Sequence, residues 1–386
     1  MKISVLNFVI FFAVFLSIYG GAHFYIFWRL AHDTKITGIY YRLFLTAFLL
    51  LFLSFPLMHF AFRHLNSPLM FITNYISSLW VGLIVYLFIF TLAFDILLFA
   101  VYLFHFISPF ELNRVIPAPG IRALIIVFLA AAVSLYGIIE AAGISVTELN
   151  MKLPGFPKSM NGFKLVQISD VHLGMIVQGR KLEKIVKMVN ELNPDVIVIT
   201  GDLVDEQAFH MENIEEPLKK LRSSHGVYAV TGNHEFYAGI ENSSKFMKES
   251  GIDLLRNRWV NVDSAIQIVG MDDPAARYTG NNHIPPINEI MKGIDRTKPV
   301  ILLYHTPVNG LDYLKANGIN LQLSGHTHKG QMWPFRYFAK MMYKTPYGLY
   351  TSGNTAIYVS DGTGTWGPPM RVGARPEITL FRFFAE

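Results

Sequence analysis

Hydrophobic and polar positions divide the chain near residue 142. Before it, four apolar stretches succeed one another with few polar interruptions, at approximately Val5–Trp28, Tyr40–Phe62, Ile72–Phe104 and Ala123–Ala142. Each reaches the roughly 20 residues that a helix needs to cross a bilayer. The third, at about 33 residues, exceeds one perpendicular crossing and predicts a tilt, a protrusion or a tight hairpin. Lys2 precedes the first stretch, and Gly20, Gly21 and Ala22 follow in the manner of a secretory signal. The apolar run continues to Trp28, however, and three more stretches come after it. A retained anchor is therefore expected rather than a cleaved peptide.

Beyond residue 142 the period shortens. Residues 143–162 contain Pro154, Gly155, Pro157 and Gly162 with no helical repeat, and read as an extended connector. Short apolar runs then alternate with helical patterns. Lys164–Ser169, Asp195–Thr200, Val227–Thr231, Ile266–Gly270, Val300–Tyr304, Asn320–Ser324, Ala356–Ser360 and Glu377–Phe383 predict strands. Between the first two, Leu182, Ile185, Val186, Val189 and Leu192 share one face of a helix over Arg180–Leu192. The DVIVIT run is continuously apolar after its first residue, as in a strand buried on both sides. This alternation predicts an α/β domain over residues 163–386, behind an all-α transmembrane domain of about four helices over residues 1–142.

Charge sharpens the division. Of the 33 Lys and Arg and 28 Asp and Glu, only 11 precede residue 143, about 8 % of that stretch against about 20 % of the remainder. The net charge of +5 is spread over both parts, so no concentrated basic face argues for nucleic acid. With no cysteine, the chain has no disulfide, thiolate ligand or cysteine nucleophile. Tyr25, Trp28, Tyr40 and Tyr41 fall near span ends, as interfacial anchors do. Asp95 lies within the third stretch, and reads either as a polar contact to substrate or another helix, or as a carboxyl near an interface. Arg29, Lys35, Arg42, Arg114 and Arg122 outnumber Lys2, Arg63, Lys152 and Lys158 on the opposite side. The expectation is a multi-pass protein of the plasma or inner membrane, with its termini and globular domain outside the cytoplasm.

The strand ends carry the chemistry. Successive apolar runs deliver Asp170-Val171-His172, then Gly201-Asp202, then Gly232-Asn233-His234-Glu235, then His305, then Gly325-His326-Thr327-His328. Ligands of α/β sheets gather at that carboxyl edge. Two Asp, one Asn and five His suit Mn, Fe or Zn, and are too rich in nitrogen for a dedicated calcium site. A single D-x-H or G-D pair is an ordinary turn or cap; five clusters in order, each after a strand, are not. His210, His225 and His283 fall outside the clusters and read as incidental.

This series resembles the calcineurin-like metallophosphoesterase family over roughly residues 146–386. GHTHKGQ (325–331) and GARPEI (373–378) resemble its bacterial membrane-associated branch. The resemblance implies a four-layer sandwich, two mixed sheets flanked by helices. It implies two divalent ions, Mn, Fe or Zn, about 3.5–4 Å apart. Asp170, His172 and His328 would hold the first, Asn233, His305 and His326 the second, and Asp202 would bridge them. A hydroxide shared by the ions would attack the phosphate. His234 would stabilise the transition state or protonate the leaving oxygen. Glu235 would orient a ligand or His234, or else form a surface ion pair. Lys329, and Arg371 or Arg375, would meet phosphate or face solvent. Gly201, Gly232 and Gly325 would let backbone approach the metals. The run Gly362-Thr363-Gly364-Thr365-Trp366-Gly367 matches G-x-G-x-x-G, but Pro368-Pro369 follows where a nucleotide-binding helix should begin.

The expected activity is hydrolysis of a phosphate ester or pyrophosphate bond. The substrate is a lipid-linked phosphate, or a soluble one with the helices serving only as anchor. A non-catalytic membrane receptor built on the metal fold is the rival, and it would have lost ligands that this chain retains. A transporter is disfavoured because Asp95 is nearly the only charge inside a span.

Overall fold

The structure is a computed structural model that describes residues 5–61, 67–174, 176–205, 208–209, 213–279, 283–307 and 310–386. Lys2, Arg63 and His210, named above, lie outside these residues. The chain forms two compact units, one of residues 140–366 and 371–386, the other of the preceding helices together with residues 367–370.

The helical unit contains α1 (Val5–Thr34), α2 (Gly38–Pro56), α3 (Pro68–Ile107) and the short α4 (Leu112–Val115), and α5 (Pro119–Ala142) runs from it into the second unit. Among the described residues, Gly38–His59, Leu69–Ile107 and Leu112–Ala142 are long and apolar enough to cross a membrane. The third predicted stretch is one continuous helix and contains no hairpin. Its Asp95 is tied to α1. Tyr25 Oη donates to Asp95 Oδ2 at 2.5 Å, and Arg29 Nη2 lies 2.8 Å from Oδ1. Arg29 also reaches Asp33 at 2.9 Å, and Arg122 of α5 meets the same carboxylate at 3.0 Å. Charges in an apolar medium persist where they are paired, and these pairs fasten α1 to α3 and α5.

In the second unit, twelve strands form two six-stranded sheets among the described residues. The first has the order β1 (Ser145–Leu153), β12 (Glu377–Ala385), β2 (Phe163–Ile168), β3 (Val196–Thr200), β4 (Val227–Val230), β5 (Asp253–Leu254). The second has the order β10 (Gly348–Ser352), β11 (Thr355–Val359), β9 (Leu321–Ser324), β8 (Val300–Leu303), β7 (Ile266–Gly270), β6 (Arg258–Val262). Both are mixed. Strands β2, β3, β4 and β5 run parallel and β12 antiparallel to β2, while β7, β8, β9 and β11 run parallel between antiparallel edges.

Alternation along each strand builds the layers. Val196 and Val198 of β3 face Ile301, Leu303, Leu321 and Leu323 across the space between the sheets. Their neighbours Ile197 and Ile199 point outward, onto Leu182, Ile185, Val186 and Val189 of α6 (Gly179–Glu191) and onto Phe246 and Met247 of α8 (Ile240–Glu249). On the far side, Val269, Leu302 and Ile357 pack with Ile287 and Ile290 of α9 (Ile287–Ile290) and Leu314 of α10 (Leu311–Ala316). The result is the four-layer order helix, sheet, sheet, helix.

The segment read as a connector is not free-standing. Residues 145–153 pair in parallel with residues 377–385 as the edge of the first sheet. Their burial alternates along the strand, which leaves every second side chain in solvent and weakens the apolar signal.

Candidate metal centre

Every cluster lies just beyond the carboxyl end of its strand. Asp170, Asp202 and Asn233 follow the adjacent parallel strands β2, β3 and β4, and His305 and His326 follow the adjacent β8 and β9. Asp170, His172, Asp202, His326 and His328 all have positive φ, between 48° and 74°. Such conformations are costly for residues with a Cβ, and they persist where surrounding contacts over-determine them.

Two donor sets converge. In one, His172 Nε2 lies 3.1 Å from His328 Nε2, which is 3.3 Å from Asp170 Oδ1. In the other, His305 Nε2 lies 3.1 Å from Asp202 Oδ2, and His326 Nδ1 is 2.9 Å from Asn233 Oδ1. Asp202 Oδ2 also comes within 3.8 Å of His172 Nε2, so this carboxylate stands between the sets. Asp170, His172 and His328 form one group of potential ligand atoms, and Asp202, His305 and His326 another.

These donors fit divalent ions. His305 Nε2 is buried and makes no well-formed hydrogen bond although it faces Asp202, and Nε2 of His172 is turned towards another imidazole nitrogen. Lone pairs aimed at one another in this way are satisfied by a shared cation. The remaining ring nitrogens are anchored from behind. His305 Nδ1 is 2.7 Å from the Thr200 carbonyl and His172 Nδ1 is 2.9 Å from Asp205 Oδ1, the usual support for a ligating imidazole.

Electrostatics separate the groups. Burial would raise the Asp202 carboxyl, but His305, His234 and His172 outweigh it and hold it well below its ordinary value. Burial together with the neighbouring His172 and Arg371 keeps His328 well below the usual histidine range, in the neutral form that ligates. His234 goes the other way. Burial alone would lower it, but the carboxylates of Asp202 and Asp205 push it up to about 9.

Asp205 was not anticipated from the sequence. Its Oδ1 lies 2.8 Å from His234 Nδ1 and 2.9 Å from His172 Nδ1, and the three residues form a third group of potential ligand atoms. The only signal was its place three residues after Asp202, in GDLVD.

Residues 163–330 match the family model described as calcineurin-like phosphoesterase. An uncharacterized metallophosphoesterase of Campylobacter jejuni is 31% identical over 392 residues, covering 97% of this chain and 98% of that protein. The chain belongs to the metallophosphoesterase family. A transmembrane protein with metallophosphoesterase domain of Danio rerio is 38% identical over 271 residues, 67% of this chain and 62% of that protein. An uncharacterized metallophosphoesterase of Helicobacter pylori (strain J99) is 39% identical over 224 residues, 58% of this chain and 60% of that protein. The chain thus spans about 62% of the length of the Danio rerio relative.

The outer residues of this metallophosphoesterase site differ from several expectations. Glu235 forms no surface ion pair. It is fully buried at the start of α7 (Asn233–Tyr237), and its carboxylate accepts backbone amides rather than touching His234. Lys329 does not stand free in solvent: its Nζ pairs with Asp361 at 2.7 Å. Arg371 is buried completely. It donates to the carbonyls of Gly364, Asp361 and Ala374 at 2.8, 2.7 and 3.0 Å, and its Nη2 lies 3.1 Å from His328 Nδ1. It therefore steadies the His328 ring. Arg375 donates to the Gly143 carbonyl at 2.7 Å.

The Gly362–Gly367 loop binds no dinucleotide-type helix. Its Thr363 and Gly364 amides donate to the carbonyls of Ser169 and Asp170, bracing the first ligand. Gly325 is required by contact: a Cβ there would lie 2.0 Å from Ser169 Oγ and 2.1 Å from Asp170 Oδ2. At the rim, the His234 ring is flanked by Tyr237 at 5.6 Å and Trp366 at 5.9 Å.

Proposed function

We propose that this chain is a membrane-anchored, two-metal phosphoesterase that hydrolyses a phosphate ester or pyrophosphate bond of a lipid-linked substrate. The observation that carries the reading is the position of Asp202, whose Oδ2 lies 3.1 Å from His305 in one donor set and 3.8 Å from His172 in the other. A carboxylate so placed would serve a cation in each set. Asp170, His172 and His328 would hold one ion, Asn233, His305 and His326 the other, and Asp202 both.

When bound, the ions acidify a water and neutralise phosphate charge. The protein's own groups do the rest. Asp205 fixes the His234 ring through Nδ1 and, with Asp202, favours its protonated form, so that Nε2–H is available for the leaving oxygen. Glu235 holds the Asp202 turn. Trp366 and Tyr237 flank His234 with apolar surface. The long apolar helices support a substrate resident in the bilayer. The slight excess of Lys and Arg in the first and third loops supports a catalytic unit outside the cytoplasm.

The test is hydrolysis of an aryl phosphate by the purified full chain with Mn²⁺, before and after chelation. Wild type should turn over only with metal, and Asp202→Ala and His234→Ala should both lose activity. Unchanged turnover in either variant would remove the assigned role.

A further inference from the structure

Helix α11 (Arg336–Met342) carries apolar side chains that are exposed among the described residues. Met341 is 82% exposed, Met342 74% and Phe338 56%, and Phe335 just before the helix is also exposed. A globular domain scatters such residues singly; four within eight positions mark an interaction surface. Ala339, which lies between Phe335 (i−4) and Met342 (i+3), is buried.

Charge selects the partner. No Asp or Glu occurs between Asp312 and Asp361, and Arg336, Lys340 and Lys344 interleave with the apolar residues. Lys340 is exposed, and its Nζ lies 5.7 Å from the centre of the Tyr347 ring. Basic residues among exposed Met and Phe, with Tyr337 and Tyr343 beside them, are the composition that settles at a headgroup boundary. Each Lys or Arg there adds attraction to anionic lipid. The chain's own long apolar helices keep a bilayer within reach of the tethered domain.

The helix is also locked to the metal centre. Gly330, two residues after His328, has φ 76°, and a Cβ there would lie 2.2 Å from the Arg336 nitrogen, so the ligand loop rests directly on the helix start. At the other end, the Tyr343 ring lies 5.8 Å from that of His326. Whatever α11 docks on is thereby brought to the ligand histidines.

We propose that α11 and its flanking basic residues dock on an anionic phospholipid bilayer, bringing the metal centre to phosphate at the membrane surface. The docking stands on exposure and charge; the choice of a membrane phosphate as substrate rests on the phosphoesterase reading above.

The native chain has no cysteine, so single nitroxide labels are unambiguous. Phe338→Cys, Met341→Cys and, as an aqueous control on α6, Lys187→Cys would be labelled in the full chain. Each would be reconstituted in nanodiscs of phosphatidylglycerol with phosphatidylcholine, and of phosphatidylcholine alone. Relaxation by oxygen and by a water-soluble nickel chelate reports depth. The expected result is high oxygen and low nickel accessibility at 338 and 341 in the anionic discs, with the reverse at 187. Oxygen preference should weaken without phosphatidylglycerol. Nickel accessibility at 338 and 341 equal to that at 187 overturns the docking. Low accessibility to both reagents means cover by protein, from a second copy or another partner, and overturns it too.

A kinetic arm separates the two readings. The Lys340→Glu/Lys344→Glu double variant should raise KM for phosphatidic acid in vesicles by about tenfold, with aryl phosphate turnover and metal content unchanged. Equal loss on both substrates overturns the docking role. Wild type that hydrolyses neither sinks the phosphoesterase reading while leaving the label depths intact.

Discussion

The Glu235 carboxylate accepts the backbone amide of Asp202 at 2.9 Å, and the same side chain takes the amides of Leu203 at 2.8 Å, Val204 at 3.2 Å and Gly232 at 2.6 Å. One buried acid thus ties the β3 turn carrying Asp202 to the β4 turn carrying Asn233 and His234. Removing it strands four amides, and a buried donor without a partner costs about 1–3 kcal/mol. Glu235→Ala should unfold at a clearly lower temperature than wild type. Glu235→Gln, which keeps the shape and one acceptor, should fold but bind metal about 10- to 100-fold more weakly, the usual effect of losing outer support. Metal titration with thermal unfolding checks both, and a Glu235→Ala protein with native stability and metal content would refute the tie.

Asp205 touches the two histidines to which the proposed reaction gives different roles, His172 as a ligand and His234 as a proton donor. Asp205→Asn retains the volume but removes the charge that, with Asp202, pushes His234 up. We expect kcat on an aryl phosphate to fall about 100-fold, within the range of general acid catalysis, with KM nearly constant. Because Asp205 acts through His234, the Asp205→Asn/His234→Ala pair should be little worse than His234→Ala alone. Additive losses would assign its effect to the support of His172 instead.

Gly325 is fixed by its neighbours rather than by flexibility. The atoms that a Cβ would strike are Asp170 Oδ2 and the Ser169 hydroxyl, which itself donates to that oxygen at 2.5 Å. Gly325→Ala should displace the first ligand and empty its metal, with circular dichroism unchanged. Gly310→Ala, where no described residue beyond its chain neighbours lies within 4 Å of the new methyl, is the control. Full metal occupancy in Gly325→Ala would contradict the packing.

The sequence pattern and the sheets agree in an instructive way. The eight predicted strands correspond to β2, β3, β4, β7, β8, β9, β11 and β12, all interior to their sheets. The strands that escaped notice, β1, β5, β6 and β10, are the four edges. An edge strand offers one flank to solvent and mixes polar with apolar residues, as the alternating exposure of β1 and β10 shows, so no continuous run announces it. The ligand clusters were legible because each combines unusual residue types with a strong strand before it. Arg371 was not: a lone arginine in a Gly- and Pro-rich loop reads as solvated, and its four partners are assembled only by folding. Asp95 was ambiguous for the same reason, since its partners Tyr25 and Arg29 lie about 70 residues away.

Asp361 supplies a pH prediction. Burial, aided by Glu377, raises its carboxyl to about 6 against the opposing pull of Lys329 and Arg371. Its reference value is 3.8, so the folded state keeps a proton that the unfolded chain has released between roughly pH 4 and 6. Protonation therefore favours folding: stability is greatest below that window, falls as pH rises through it, and is level above about 6. Asp361→Asn cannot titrate. Relative to wild type, its unfolding free energy should gain on the order of 3 kcal/mol at most between pH 4 and pH 7, nearly all before pH 6.5. Unfolding of both full-length proteins across that range measures the difference, in which the other titrating groups cancel. A difference independent of pH would mean that Asp361 ionises normally, and that the pairing with Lys329 overcomes its burial.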